Sequence, residues 1–286
     1  MSRWMPAIPI VLTIAGSDSG GGAGIQADLR TFAFHCVHGT SALTCVTAQN
    51  TIGVNRVDAL PAAAVAAQIE AVSQDMVIGA VKTGMLLNAD IISTVARQLA
   101  RLSLNQQLVV DPVMISRAGV PLIDAAAVQA LRQELLPLAQ VLTPNRYEAQ
   151  ILANQAIHTL ADMEQAAQRI HQLGPQYVLV KGGGMTGDWR AIDVWYDGNH
   201  LRTLATEVVD TPHTHGTGCT LSAAIAANLA LGYEPLTATQ RAKQYVTEAL
   251  KYALAIGQGQ GPVGHFFPLL SGDRAIPREC SMPGDG

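Results

Sequence analysis

Residues able to do chemistry stand at the ends of apolar runs in this 286-residue chain. The sharpest group is His215-Gly216-Thr217-Gly218-Cys219, followed at once by an apolar, alanine-rich helical stretch. Glycines let successive backbone N–H groups turn toward one point, and a helix N-terminus adds positive potential there. Such an anion hole suits a phosphoryl group, whose transfer needs spread negative charge stabilised more than covalent chemistry. A cysteine in that position also has its thiolate favoured. The alternative is a metal set of His213, His215 and Cys219, which lacks a clear fourth ligand. A second group is Asp111, Asn145 and Glu148. The NxxE spacing puts Asn145 and Glu148 one helical turn apart on a shared face. Hard oxygen ligands of this kind suit Mg²⁺, which keeps most of its waters and bridges phosphates. Alone, the same spacing is an ordinary helix cap.

The glycine loop GSDSGGGAG (16–24) admits a rival reading. Gly22-Ala23-Gly24-Ile25-Gln26-Ala27 fits GxGxxA, the fingerprint of a nicotinamide-dependent oxidoreductase. That fingerprint wants an acidic residue about 20 positions on, at the end of the second strand. Here the strand ends in TAQNT, and the next acid is Asp58. No GxxxxGK[ST] loop occurs, and GSDSG carries Asp18 where a GxSxG nucleophile would stand.

The elements that must position these residues alternate. Strands are expected at 8–15, 41–49, 77–82, 107–111, 141–143 and 177–181. Helices are expected at 24–34, 61–74, 90–102, 124–135, 145–152, 160–173, 219–231 and 236–256. Two β runs around YDGNH, within 191–209, read as a hairpin. Repeated strand–helix units imply an α/β fold with a mostly parallel sheet and right-handed crossovers covering both faces. Ligands of such sheets bind beyond the carboxyl ends of the strands. Those ends read Gln49-Asn50, Lys82-Thr83-Gly84, Asp111-Pro112, Thr143-Pro144-Asn145 and Lys181-Gly182-Gly183-Gly184, which places the chemistry along one edge.

Composition narrows the class further. Hydrophobic residues make up 49% and charged residues 14%, against about 25% charged in a typical soluble domain. A disordered chain needs the reverse balance. A net charge of -4 argues against nucleic-acid and anionic-membrane partners, which select clustered Lys and Arg. Cys36, Cys45, Cys219 and Cys280 form no CxxC pair, and no apolar run is long enough to span a membrane. The expected location is the cytoplasm. A surface this short of charge predicts a homodimer.

The segments TIAGSDSGGGAGIQADLRTF (13–32), TCVTAQNT (44–51), AVKTGML (80–86), VVDPVM (109–114), TPNRYEA (143–149), LVKGGG (179–184) and THGTGCTLSAAIAA (214–227) together carry a resemblance. The sequence resembles the hydroxymethylpyrimidine and phosphomethylpyrimidine kinases of thiamine biosynthesis, in the ribokinase-like superfamily. The first of these segments and HGTGCTLSAA are specific together, and relatives acting on pyridoxal share much of both. The resemblance implies one ribokinase-like domain over residues 1–270, and the polar, Gly- and Pro-bearing composition of 271–286 is that expected of a disordered tail. It implies ATP-dependent phosphorylation of 4-amino-5-hydroxymethyl-2-methylpyrimidine and then of its monophosphate.

The resemblance also implies a role for each of these residues by position: Gln49 should hydrogen-bond the aminopyrimidine, whose edge an amide matches with both donor and acceptor. Gly16, Asp28, Met85 and Val113 line the same pocket. Asp111 and Glu148 organise Mg²⁺, with Asn145 on the phosphate side and Lys181 on the ATP phosphates. The N–H groups of Gly216, Thr217, Gly218 and Cys219 hold the transferring phosphoryl, and Cys219 accepts the substrate hydroxyl proton. Lys82 is structural, and 116–121 (SRAGVP) resembles a mobile flap. Two departures stand out: His213 takes the asparagine position of NTHGTGC, and Gly264 that of GPVNHF.

Overall fold

Nine strands among the described residues form one sheet in the order β3-β2-β1-β4-β5-β6-β7-β8-β9. The computed structural model describes residues 8–115 and 122–270. The strands are β1 (Ile10–Asp18), β2 (His38–Gln49), β3 (Val54–Ala59), β4 (Ile78–Thr83), β5 (Leu108–Val110), β6 (Val141–Leu142), β7 (Tyr177–Val180), β8 (Ile192–Tyr196) and β9 (Leu201–Ala205). β1, β2 and β4–β7 pair in parallel, so six carboxyl ends share one edge. β2–β3, β7–β8 and β8–β9 are antiparallel, and the late pair is the expected hairpin. Strand order reverses between β1 and β4, which marks the crevice where open sheets bind ligands.

Eight longer helices cover the two faces among the described residues: α1 (Gly24–Phe34), α2 (Ala62–Asp75), α3 (Ala89–Arg101), α4 (Ala125–Ala130), α5 (Arg146–Ala153), α6 (Leu160–His171), α7 (Thr217–Ala230) and α8 (Pro235–Lys251). Leu12, Val81, Leu108 and Leu142 face α2 to α6, whereas Val11, Ala80, Val109 and Val141 face α1, α7 and α8. Each strand thus alternates between two apolar layers, as burial on both faces demands. The layers hold the fold by area: each fully buried Leu or Ile is worth about 1.5–3 kcal/mol. α7 is buried nearly all round, and Ala223, Ala224, Ala226 and Ala227 let it lie close to the strands. No helix among the described residues is long and apolar enough to cross a membrane.

Four local expectations are corrected. β1 runs three residues beyond 15, because after a bulge Ser17 and Asp18 still pair with Val46 and Thr47. β3 (VNRVDA) is an edge strand exposed at every position, so its sequence carries no apolar run to announce it. The helix expected over 124–135 loosens into a wider turn at Leu131–Leu135 before Pro137. α8 ends at Lys251 instead of 256, where the chain turns so that Leu254 N–H donates to Pro262 O at 2.8 Å. The flap expected at 116–121 and the tail at 271–286 lie outside the described residues.

Candidate active site

Register delivers three charged side chains to one side of the sheet. Ala80, Val109 and Leu179 face the α7 layer, so Lys82, Asp111 and Lys181, each two residues on, point the same way. Lys181 Nζ donates to Asp111 Oδ1 at 2.9 Å, and Ser222 Oγ reaches Asp111 Oδ2 at 3.3 Å. A Cβ on Gly218 would lie 3.4 Å from Lys181 Nζ and 3.6 Å from Asp111 Oδ2, so the first turn of α7 rests on this pair. Asp111 and Glu148 hold the Lys181 ammonium above its ordinary pKa although burial alone would push it down.

Gly216 caps α7 in the left-handed region at φ 82°, and a Cβ there would stand 1.8 Å from Gly22 O. Only glycine fits both conditions. Of the four expected N–H donors, that of Thr217 turns back to Thr214 O at 3.3 Å. Those of Gly216, Gly218 and Cys219 have no carbonyl partner among the described residues, and the last two lie in the first turn of α7, where such N–H groups are left over. The Cys219 thiol departs from expectation. Burial pushes it up to about 11; Lys82 opposes this, Asp28 and Asp111 add to it, and the Gly24 N–H opposes it. Burial outweighs the helix N-terminus, and the free protein holds a thiol at neutral pH.

Asn145 and Glu148 form a complete capping box on α5. Asn145 Oδ1 accepts from Glu148 N at 3.0 Å, and Glu148 Oε2 from Asn145 N at 2.8 Å. Glu148 Oε1 accepts a third bond, from Met114 N at 3.1 Å. Burial raises the Glu148 carboxyl to about 7, against the pull of Lys181 and with a push from Asp111. The Met114 bond pins the turn in which Val113 adopts φ 40°, a strained value for a β-branched residue. Two neighbouring carboxylates of this kind fit a Mg²⁺ that takes its other ligands from phosphates and water. The alternative metal set is not assembled. His213 Nδ1 accepts from Gly261 N at 3.0 Å, His215 bonds Asp18, and no cluster of three ligands exists among the described residues.

Across the crevice the wall is made by packing. A Cβ on Gly16 would come 2.6 Å from Cys45 Sγ and 2.9 Å from Met85 Cε, so Gly16 and Met85 are brought together as expected. Gln49 is half-buried at the end of β2, its Nε2 3.4 Å from His215 Nε2. Asp28 does not line open space. It is fully buried, with Oδ2 accepting from Thr13 Oγ1 at 2.6 Å and Lys82 Nζ at 2.8 Å.

The role of Asp18 in this wall escaped the sequence reading, in which His215 figures only in the HGTGC loop and in a metal set. Asp18 accepts from Gly20 N, Gly22 N and Ala23 N at 2.8–3.0 Å, and from His215 Nε2 at 2.9 Å. An ionised carboxylate only accepts, so the His215 hydrogen sits on Nε2. This bond ties the glycine loop to the anion-hole loop across 197 positions of chain. The signal was present as an acid within a run of glycines, whose N–H groups can converge on it.

A mostly parallel open sheet that sets a glycine-capped helix end, a buried lysine–aspartate pair and a second carboxylate along its carboxyl edge has the build of a small-molecule phosphotransferase of the α/β class. The pattern of the phosphomethylpyrimidine kinase family matches residues 18–264, and the chain belongs to that family. It is 64% identical over 264 residues to the hydroxymethylpyrimidine/phosphomethylpyrimidine kinase of Synechococcus elongatus, covering 92% of this chain and 100% of that one. Among solved structures, it is similar to Bacillus subtilis pyridoxal kinase in its ADP complex, with a TM-score of 0.84 and 41% identity over 91% of this chain and 98% of the other. The phosphomethylpyrimidine kinase of Clostridium difficile has a TM-score of 0.75 and 43% identity, over 85% and 99%. The chain is a kinase of ribokinase-like fold.

Proposed function

We propose that this protein uses ATP to phosphorylate the hydroxymethyl group of 4-amino-5-hydroxymethyl-2-methylpyrimidine, and then the resulting monophosphate, for thiamine biosynthesis. The observation that carries this reading is the convergence of Lys181, Asp111 and the Gly218–Cys219 N–H groups opposite the Gly16–Met85 wall. Lys181 meets the ATP phosphates as a compact charge, with Asn145 beside it. The Gly218 and Cys219 N–H groups stabilise negative charge on the phosphoryl in flight. Gln49 reads the aminopyrimidine edge, and Gly16, Met85 and Val113 set the shape of the pocket. Asp28 acts from behind that wall. Asp111 and Glu148 would hold Mg²⁺, which neutralises charge on the phosphates when bound. Cys219, acting as thiolate once its own proton has passed to solvent, takes the hydroxyl proton late, since a loose transition state asks little of the nucleophile.

Because the thiol ionises near 11, kcat for the alcohol substrate should rise with pH across the neutral range. Cys219→Ala should flatten that rise and lower kcat at least about tenfold, about 1.4 kcal/mol of barrier. A loss below about threefold would remove the role. The second step has an already ionised phosphate nucleophile and should depend less on Cys219. The test of the whole reading is kcat/KM with ATP on the aminopyrimidine and on pyridoxal. Pyridoxal phosphorylation is the second reading, favoured by the 0.84 TM-score to a pyridoxal kinase. A preference for pyridoxal would replace the first. We also read the protein as a cytoplasmic homodimer. The β3 edge supports a second copy as partner, with Val54 46% and Val57 37% exposed. Light scattering showing a stable monomer at micromolar concentration would overturn it.

A further inference from the structure

Lys82 is 0% exposed, and no step above consumes its charge. Its Nζ lies 2.8 Å from Asp28 Oδ2, and a Cβ on Gly84 would stand 2.7 Å from it, which sets the ammonium at the carboxyl end of β4. Both bonds to Asp28 fall on Oδ2, and Oδ1 has no partner among the described residues. A buried ion pair is weak evidence of a stabilising role, because apolar residues of similar volume often hold a core as well. The pair's position says more. Asp28 lies one turn past Gly24 on the face of α1 that meets α7, and the Gly24 N–H faces the Cys219 thiol.

We propose that Lys82 is a positioning residue for phosphoryl transfer: its ammonium, fixed by Asp28 behind the pocket, is the permanent positive charge against which Cys219 gives up and takes a proton. The charged groups acting on the thiol are Lys82 from β4, Asp28 from α1, Asp111 after β5 and Lys181 after β7. Lys181 is paired with Asp111 on the phosphate side, where bound nucleotide would compete for it. Lys82 is sealed from solvent; burial presses its pKa down, but Asp28, Cys219 and Asp111 lift it further.

This role rests on Cys219 as proton acceptor, yet it is tested without turnover, so the two fail separately. The probe is iodoacetamide on the full-length, nucleotide-free protein between about pH 7 and 10. Peptide mass spectrometry follows Cys219 apart from Cys36, Cys45 and Cys280. Lys82→Met should slow alkylation about tenfold at fixed pH, one unit in the midpoint. Asp28→Asn, which leaves the ammonium unopposed, should speed it. Opposite signs support the proposal; shifts in the same direction, or an unchanged profile in Lys82→Met, overturn it. If Lys82→Met does not fold, the doubly neutral Lys82→Met/Asp28→Asn protein decides: slower alkylation than wild type supports the role, and an equal rate removes it. In turnover, Lys82→Met should lower kcat for the alcohol about tenfold, with KM for ATP unchanged and the phosphate substrate less affected.

Discussion

The wall built by β1, β2 and β4 is shaped by close packing, whereas the wall built by β5, β6 and β7 is shaped by charge. On the first, Gly16 lies where a Cβ would strike Cys45 and Met85, and Asp18 gathers three backbone N–H groups and His215. On the second, Lys181, Asp111 and Glu148 are partly or wholly buried; Lys181 pairs with Asp111 at 2.9 Å, and Asp111 acts on the ionisation of both Lys181 and Glu148. A flat heteroaromatic ring is recognised mainly by shape and a few hydrogen bonds, while a phosphoryl group is recognised by charge. The contrast teaches that one site divides its labour by wall. α7 joins them, since Gly216 rests on the packing wall and Gly218 on the charged one.

Variants can break this division. The largest effect is expected from Lys181→Met, which removes the phosphate-side charge and leaves Asp111 without its partner. Its kcat should fall about a thousandfold by the scale of lost transition-state donors, with KM for the pyrimidine little changed. A matching rise in that KM would deny the division. Gly216→Ala comes next, at about a hundredfold in kcat, because a Cβ 1.8 Å from Gly22 O must displace the anion hole and the glycine loop together. Both KM values should rise, since this residue serves both walls. Gly16→Ala should raise KM for the pyrimidine about tenfold, 1.4 kcal/mol, and leave KM for ATP alone.

The smallest effect concerns acid. Burial lifts the Asp18 carboxyl, but His215 and the Ala23 and Gly20 N–H groups pull it further down, to a net value below the usual 3.8. Its contribution is therefore present above that ordinary value and is lost as pH falls through the lowered one. The Tm of wild type should drop more steeply than that of Asp18→Asn between about pH 5 and 3. Parallel curves would show that the carboxylate nest adds nothing.

Much of the site was legible because its residues end strands. Gln49, Asp111 and Lys181 follow apolar runs whose character is plain, and a parallel sheet gathers such ends on one edge. The α7 loop was legible through its glycines. Less could be read where one pattern serves two purposes. Asn145 and Glu148 match a metal site and a helix cap alike, and the structure makes the cap in full while leaving the Glu148 carboxylate beside Asp111 at the edge. β3 stayed hidden because an exposed edge strand needs no apolar pattern.

The departures at His213 and Gly264 also gain a place. His213 receives the Gly261 N–H, and Gly264 N–H donates to Ala249 O at 2.9 Å, so both sit in the C-terminal segment packed beside the anion-hole loop. Neither touches the Gly218–Cys219 donors.

By itself the sequence determined the alternation of elements, the common edge of the polar strand ends and the glycine-dependent turn before α7, because each depends on local periodicity and backbone freedom. Only the tertiary structure decided which charges meet. Lys82 with Asp28, Lys181 with Asp111 and His215 with Asp18 are separated by 54, 70 and 197 positions, and no local pattern encodes such pairs. Burial, a property of the assembled layers, then set the state of each group, including the Cys219 thiol that its helix end alone would have ionised.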